Sequence, residues 1–144
     1  MGRPRCYQAR EVACGSHIVE VSASLSPVSE IVVFSGSAHR PLADKICSEL
    51  GQPLSASDTV RFSNDCLQVQ LLANCRRKDV YIIQPLVPPT QDHLMELLLM
   101  IDAARGASAA SVTAVIPHYA YARSDKKDAS RISIGGRLVA DMLT

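Results

Sequence analysis

The sequence predicts an α/β fold in which a mostly parallel sheet is flanked by helices, because short apolar runs alternate with helical patterns along the chain. The runs are rich in β-branched side chains and stop at glycine, serine or proline, as buried parallel strands do. Ligands of such sheets bind beyond the carboxyl ends of the strands. The expected site therefore comprises residues 35–39, 85–90 and 118–131.

Strands are predicted where apolar residues run together or alternate with polar ones. The first run is followed by a turn of serine and glycine, and two later runs stop at prolines. One segment alternates as a half-buried strand does. The predicted strands are residues 31–34, 67–71, 79–84 and 111–116.

Helices are predicted over residues 41–50, 90–105 and 134–143. Pro41 suits a first helical turn, and Gly51 is a natural helix terminus. The second helix is apolar on nearly all sides, which predicts that it packs between a sheet and a further layer. This surplus of apolar surface also predicts a chain that is oligomeric or prone to aggregate.

Length and composition are those of one packed domain, with 144 residues, 47% hydrophobic and 20% charged. Residues 1–29 mix arginine, glycine, proline, serine and cysteine with little periodicity, and they are predicted to be a poorly ordered amino-terminal extension. Within them, residues 18–25 alternate enough to form a strand instead. The folded domain is expected over residues 30–144.

Charge, hydropathy and cysteine content exclude several classes of protein. Lys+Arg 15 against Asp+Glu 14 argues against binding duplex nucleic acid through bulk charge. No apolar run reaches the roughly 18 residues of a membrane span, and no apolar segment of a secretory signal follows the arginine-rich start. The five cysteines form no C-x-x-C pair, which indicates reduced thiols in a cytoplasmic protein.

Familiar nucleotide and metal signatures are missing from the sequence. Neither G-x-x-x-x-G-K-[ST] nor G-x-G-x-x-G occurs, so a P-loop and a dinucleotide fingerprint are both disfavoured. The four histidines are scattered without metal-ligand spacing. No Ser/His/Asp set can be assigned.

A charged segment, residues 117–131, follows the last predicted strand. An arginine there can hold a phosphate with its planar fork, and a lysine can meet it as a point charge. The competing interpretation is a solvated charged loop. The cations concerned are Arg123, Lys126, Lys127 and Arg131.

A lone aromatic residue, Phe62, lies in the polar turn at residues 61–65. Such a ring can stack on a flat base while a neighbouring amide reads the edge of that base. The competing interpretation is that Phe62 is an anchor of the core.

Read in chain order, these segments resemble the ribose-phosphate diphosphokinase family. The likeness runs from about Glu30 to Thr144, nearly four-fifths of the chain. Its specificity comes from several ordered segments at family-like spacing. The matching segments are residues 33–39, 61–64, 79–84, 92–97, 112–117 and 121–128.

The resemblance implies a phosphoribosyltransferase-like, Rossmann-like domain, truncated before the second such domain of the family. Members use Mg²⁺ to transfer the diphosphoryl group of ATP to the 1-hydroxyl of ribose 5-phosphate, which makes phosphoribosyl pyrophosphate for nucleotide biosynthesis. They assemble into dimers and hexamers. The partners implied are ATP, ribose 5-phosphate and copies of the same chain, with neither nucleic acid nor membrane.

The resemblance also implies an ATP site in which Phe62 stacks on adenine, Asn64 reads the adenine edge and Arg123 contacts the ATP. The slot is shared, since the Phe segment of one subunit meets the Arg loop of its neighbour. Cys66 stands where the family commonly has Glu, and it is a poor substitute for a carboxylate acceptor. Ser124 stands where Gln is common, so its ATP contact is expected to be lost or bridged by water.

A second anion site, for an allosteric phosphate or ADP, is implied in the same way. Its members should converge across a subunit interface and not within one subunit. The competing interpretation is that they are unrelated surface residues. They are Arg76, Ser108, Ser130 and Arg131.

The metal-binding histidine of the family, its ribose-phosphate loop and its catalytic loop correspond to positions beyond Thr144. No catalytic or metal-binding residue is therefore expected within this chain, which should make no phosphoribosyl pyrophosphate alone. The expectation is an enzyme fragment that holds part of the ATP site. The alternatives are a non-catalytic regulatory or subunit-association module of the same family, and a generic α/β domain with another ligand.

Overall fold

Residues 30–144 are described by the structure, a computed structural model, and they form two sheets of opposite kind. The predicted extension at residues 1–29, with its alternative strand at residues 18–25, lies outside the described residues. A short 3-10 helix spans Ala120–Arg123. The other elements are β1 (Ile31–Ser35), α1 (Arg40–Leu50), β2 (Ser57–Arg61), β3 (Leu67–Leu71), β4 (Asp79–Ile83), α2 (Thr90–Gly106), β5 (Ser111–Val115) and α3 (Gly135–Leu143).

The larger sheet is parallel and has the strand order β1-β4-β5. Phe34 pairs with Ile82, and Ile82 pairs with Ala114. Phe34 and Ile82 pack with α2 on one face, whereas their neighbours Val33 and Ile83 pack with α1 on the other. Burial on both faces explains the near-continuous apolar runs. The predicted α/β fold with a parallel sheet flanked by helices is confirmed.

The smaller sheet is an antiparallel hairpin of β2 and β3. The half-buried strand predicted at residues 67–71 is confirmed as β3, with alternate residues exposed. The sequence analysis missed β2 because its only large apolar side chain, Val60, is 44% exposed. The side chains of β2 that face inward are polar, so the strand shows no apolar alternation.

Helix α2 lies between the two sheets, in contact with β4 and β5 on one side and with β3 on the other. Leu97 and Met100 are completely buried there. The prediction that a second layer covers this helix is therefore confirmed. Because the hairpin supplies that layer, the apolar surface of α2 does not by itself argue for self-association.

No helix among residues 30–144 is long and apolar enough to cross a membrane.

The turn after β1 brings two parts of the chain too close for any residue but glycine. A Cβ at Gly36 would lie 2.3 Å from Gln84 Oε1 and 2.4 Å from Gln84 Cδ. The Gln84 side chain is completely buried, and its Oε1 accepts a hydrogen bond from the Ala38 amide at 3.2 Å. Glycine is therefore needed at this turn for packing.

We expect Gly36→Ala to lower the free energy of unfolding by about 1–3 kcal/mol, the usual cost of overpacking a filled interior. The matched control is Gly106→Ala, where an added Cβ has no neighbour within 4 Å. That change should be neutral or stabilise by up to about 1 kcal/mol, since alanine favours helix over glycine. Urea denaturation measures both, and equal effects would contradict the packing argument.

The thiols offer a second test of the fold. Cys47 and Cys75 are buried, and burial raises the pKa of both thiols, whereas Cys66 is exposed. Since the thiolate is the reacting form, iodoacetamide should modify Cys66 well before the other two in the folded protein. Peptide mapping by mass spectrometry measures the order. Modification of Cys75 as fast as Cys66 would show that the core differs from this description.

Candidate functional site

The candidate site lies at the carboxyl edge of the parallel sheet, where the segments that follow β1, β4 and β5 meet. The Gly36 amide after β1 donates to the carbonyl of Ile83 in β4 at 3.1 Å. The Leu86 amide after β4 donates to the carbonyl of His118 after β5 at 2.8 Å. The sequence placed these segments together correctly, because parallel strands end at one edge.

A buried carboxylate, Glu96 of α2, joins this edge to the hairpin. Glu96 is 2% exposed. Its oxygens accept hydrogen bonds from the Ser37 hydroxyl at 2.6 Å, the Gln84 side-chain amide at 2.7 Å and the Thr59 hydroxyl at 2.9 Å. The Ser37 backbone amide also donates to both oxygens, at 3.1 and 3.2 Å. Sequence reasoning gave Glu96 no role, although it is the single charge in the apolar run at residues 94–101.

The turn between β2 and β3, residues 62–66, is called the aromatic turn below. The Phe62 amide donates to the Cys66 carbonyl at 2.9 Å, and the Asp65 amide donates to the Phe62 carbonyl at 3.0 Å. Asp65 has a φ of 64°, the left-handed conformation that closes three-residue hairpin loops. Phe62 is 47% exposed, so its interpretation as an anchor of the core is wrong.

Asn64 has one half of its carboxamide engaged within the aromatic turn. Its Oδ1 accepts a hydrogen bond from the Cys66 amide at 3.2 Å. This bond fixes the side chain and leaves the NH₂ group to donate outward. The Cys66 thiol is exposed at the end of the same turn. The turn thus offers a flat aromatic face, an amide donor and a thiol.

The base of the aromatic turn is tied to the first turn of α2. The guanidinium of Arg61 pairs with Asp92 of that helix and, at 3.7 Å, with Asp65 of the turn. The hydrogen bond to Asp92, followed by the charge of that carboxylate, raises the pKa of Arg61. Arg61 therefore stabilises the hairpin, and its charge is already paired with two carboxylates.

Arg123 and Ser124 lie on a separate element, at the end of the 3-10 helix that follows β5. Arg123 is exposed. Ser124 anchors α3, since its Oγ accepts from the Gly135 amide at 3.1 Å and its carbonyl accepts from the Gly136 amide at 2.9 Å. The Ser124 hydroxyl can still donate its own proton to a ligand. A structural role for this serine was not anticipated from the sequence.

The four residues assigned to a second anion site form two pairs at opposite edges of the sheet. Arg76 and Ser108 lie before β4 and β5, where the neighbouring Arg77 amide donates to the Ser108 carbonyl at 2.9 Å. Ser130 and Arg131 lie in the segment beyond the carboxyl end of β5. All four are exposed. One copy of the chain therefore does not bring the two pairs together.

The Mg²⁺ implied by the resemblance has no protein-built site in the described part of the chain. Among residues 30–144, no three His, Cys, Asp or Glu side chains are grouped so that they could hold a metal ion. Glu96, the most buried carboxylate at this edge, is already committed to neutral donors.

The chain is similar to several proteins that share one family name. A Streptomyces coelicolor protein whose name places it among the ribose-phosphate pyrophosphokinases is 67% identical over 114 residues, which is 79% of this chain and 36% of that protein. The ribose-phosphate pyrophosphokinase of Deinococcus radiodurans is 58% identical over 115 residues, 80% of this chain and 36% of that protein. The crystal structure of phosphoribosylpyrophosphate synthetase from Mycobacterium smegmatis superposes with a TM-score of 0.77 at 39% identity, covering 80% of this chain and 39% of that chain.

The chain spans little more than a third of the length of these relatives, 36% in both sequence comparisons. Residues 31–144 match the family model of the N-terminal domain of ribose phosphate pyrophosphokinase. This match covers every helix and strand described above. The chain therefore belongs to the ribose-phosphate pyrophosphokinase family.

Proposed function

We propose that this chain supplies the adenine-binding part of the ATP site in an enzyme that makes phosphoribosyl pyrophosphate. The observation that carries the proposal is the aromatic turn, where Phe62 is half exposed beside the outward amide of Asn64. The reaction transfers the diphosphoryl group of ATP to the 1-hydroxyl of ribose 5-phosphate. The names of the relatives support this activity.

The chemistry of the aromatic turn suits adenine. A ring stacked on a base contributes roughly 1–3 kcal/mol, and it does so for any base. The NH₂ group of Asn64 can donate to a ring nitrogen of adenine, which is an acceptor. Its Oδ1, already held by the Cys66 amide, keeps one lone pair for the exocyclic amine of the base. The Cys66 thiol can add only a weak hydrogen bond.

Cations for the phosphates would come from the segment after β5. Arg123 is exposed at the end of the 3-10 helix, and Lys126 and Lys127 follow it closely in an exposed stretch. Arginine binds phosphate through paired N–H groups, and lysine adds charge. Within residues 30–144, the only charge partner of these cations is Asp128, 4.0 Å from Lys126, in a pair too exposed to hold the lysine in place.

We further propose that the ATP slot is completed between two copies of the chain. The aromatic turn belongs to the hairpin beside α2, whereas Arg123 belongs to the segment after β5, so the two halves are carried by independent elements. The proposed second anion site would need the same assembly, because its two pairs lie at opposite edges of one sheet. Homodimers, or hexamers built from them, would bring such pairs together.

We expect the chain to bind ATP no tighter than about millimolar, because one stacked base and a few exposed cations supply little affinity. Phe62→Ala should weaken binding by roughly 5- to 150-fold, the factor that corresponds to the loss of a stacked base. Leu72→Ala is the matched control, since Leu72 is 58% exposed on the same hairpin but lies outside the turn. Titration with ATP, followed by NMR chemical shifts, measures all three proteins. Identical shifts in wild type and Phe62→Ala would rule out the stacking role.

A further inference from the structure

The inner face of the hairpin is apolar on one strand and polar on the other. Thr59 of β2 pairs directly with Val69 of β3, so both side chains lie on the same face. The β3 half of that face packs against the core cluster around α2 through Val69 and Leu71. The β2 half presents hydroxyl and guanidinium groups. Apolar burial therefore fixes only one strand of the hairpin.

Two carboxylates of α2 meet the polar half. Asp92 and Glu96 lie four residues apart, so they share one face of the helix. Arg61 pairs with Asp92, but their side chains are 45% and 40% exposed, and ion pairs so exposed contribute little. Thr59 donates to Glu96 at 2.9 Å, and Glu96 is 2% exposed. The buried hydrogen bond is thus the stronger link.

Neutral groups alone solvate the buried carboxylate. Its donors are the Ser37 amide and hydroxyl, the Thr59 hydroxyl and the Gln84 side-chain amide, and no cation pairs with it among residues 30–144. Burying a charge is costly unless every acceptor is satisfied. Each donor is consequently held in one place by Glu96. Those donors belong to the segment after β1, to the residue that follows β4 and to β2.

Thr59 stands close to the aromatic turn. It precedes Phe62 by three residues in an extended strand, which corresponds to roughly 10 Å. A change in the tilt of β2 at Thr59 would therefore move the ring of Phe62 and the amide of Asn64 together. Glu96 itself belongs to α2 and is not part of the aromatic turn.

We propose that Glu96 is a positioning residue for the adenine slot: through Thr59, its buried carboxylate sets the orientation of the hairpin that presents Phe62 and Asn64. This inference rests on the proposed function. It assigns Glu96 no contact with ATP. It gives a reason for a carboxyl group to be buried on the face of α2 that meets β2.

Thr59 is the residue to change. Replacing Glu96 instead would leave several buried donors without an acceptor and would destabilise the fold. Thr59→Val keeps the shape of the side chain and removes the single hydrogen bond from β2 to Glu96. Thr59→Ser keeps the hydroxyl and is the conservative rescue. In Thr59→Val, Oε2 of Glu96 keeps the Ser37 hydroxyl and the Gln84 amide, and Oε1 keeps the Ser37 backbone amide at 3.2 Å.

The first readout is amide hydrogen exchange and does not involve ATP. In Thr59→Val, the hairpin amides of Phe62 and Leu72, which donate to Cys66 and Ala56, should exchange about tenfold faster. The Ile82 amide in β4 should keep its wild-type rate, and Thr59→Ser should resemble wild type. Unchanged hairpin exchange in Thr59→Val would overturn the proposal. If amide exchange in β4 accelerated as much as in the hairpin, Glu96 would have only a general stabilising role. That result would also overturn the proposal.

The second readout is a double-mutant cycle on ATP affinity. Thr59→Val should weaken ATP binding in the wild-type background and cost less in Phe62→Ala, where only the contribution of Asn64 remains to be lost. Thr59→Ser should restore the affinity. If Phe62→Ala weakens binding but Thr59→Val does not, the adenine slot stands and the positioning role is wrong. If neither change affects ATP, the proposed function fails and the positioning role falls with it.

Discussion

The buried carboxylate of Glu96 is the interaction on which the arrangement of this domain depends. Helix α2 could pack against the parallel sheet through apolar contacts alone, and β3 could cover its outer side in the same way. Backbone pairing with β3 and the Ser57 hydroxyl, which donates to the Ser35 carbonyl at 3.2 Å, also hold β2. Glu96 adds a buried link from β2 and from the segment after β1 to α2, because a buried carboxyl group tolerates few arrangements of the donors around it.

The same constraint explains two local features of the carboxyl edge. The Gln84 side chain is held against the turn after β1, because its amide donates to Glu96 at 2.7 Å while its Oε1 accepts from the Ala38 amide. That position leaves no space for a side chain at Gly36. The glycine, the glutamine and the glutamate thus form one packed polar unit. The adenine slot we propose is built outward from it, on a hairpin that the unit holds in place.

Elements whose apolar residues are buried could be predicted from the sequence, and elements held by polar contacts could not. The strands of the parallel sheet and the three helices begin and end within a few residues of their predicted bounds. Strand β2 was missed because Thr59 satisfies a carboxylate instead of filling a core. The exposure of Phe62 at the hairpin turn agrees with the family resemblance. The anchoring of α3 by Ser124 depends on a contact across 11 residues that no local pattern reveals.

The central claim is that the aromatic turn binds adenine, and one measurement tests it most directly. The chain contains two phenylalanines, Phe34, which is completely buried, and Phe62, which is half exposed. Selective labelling of phenylalanine therefore gives one reporter at the turn and one internal control in the core. With ATP bound, we predict nuclear Overhauser contacts from the adenine H2 and H8 protons to the ring of Phe62 and none to Phe34. Bound ATP whose adenine shows no contact with Phe62, and shifts resonances elsewhere in the domain, would contradict the claim.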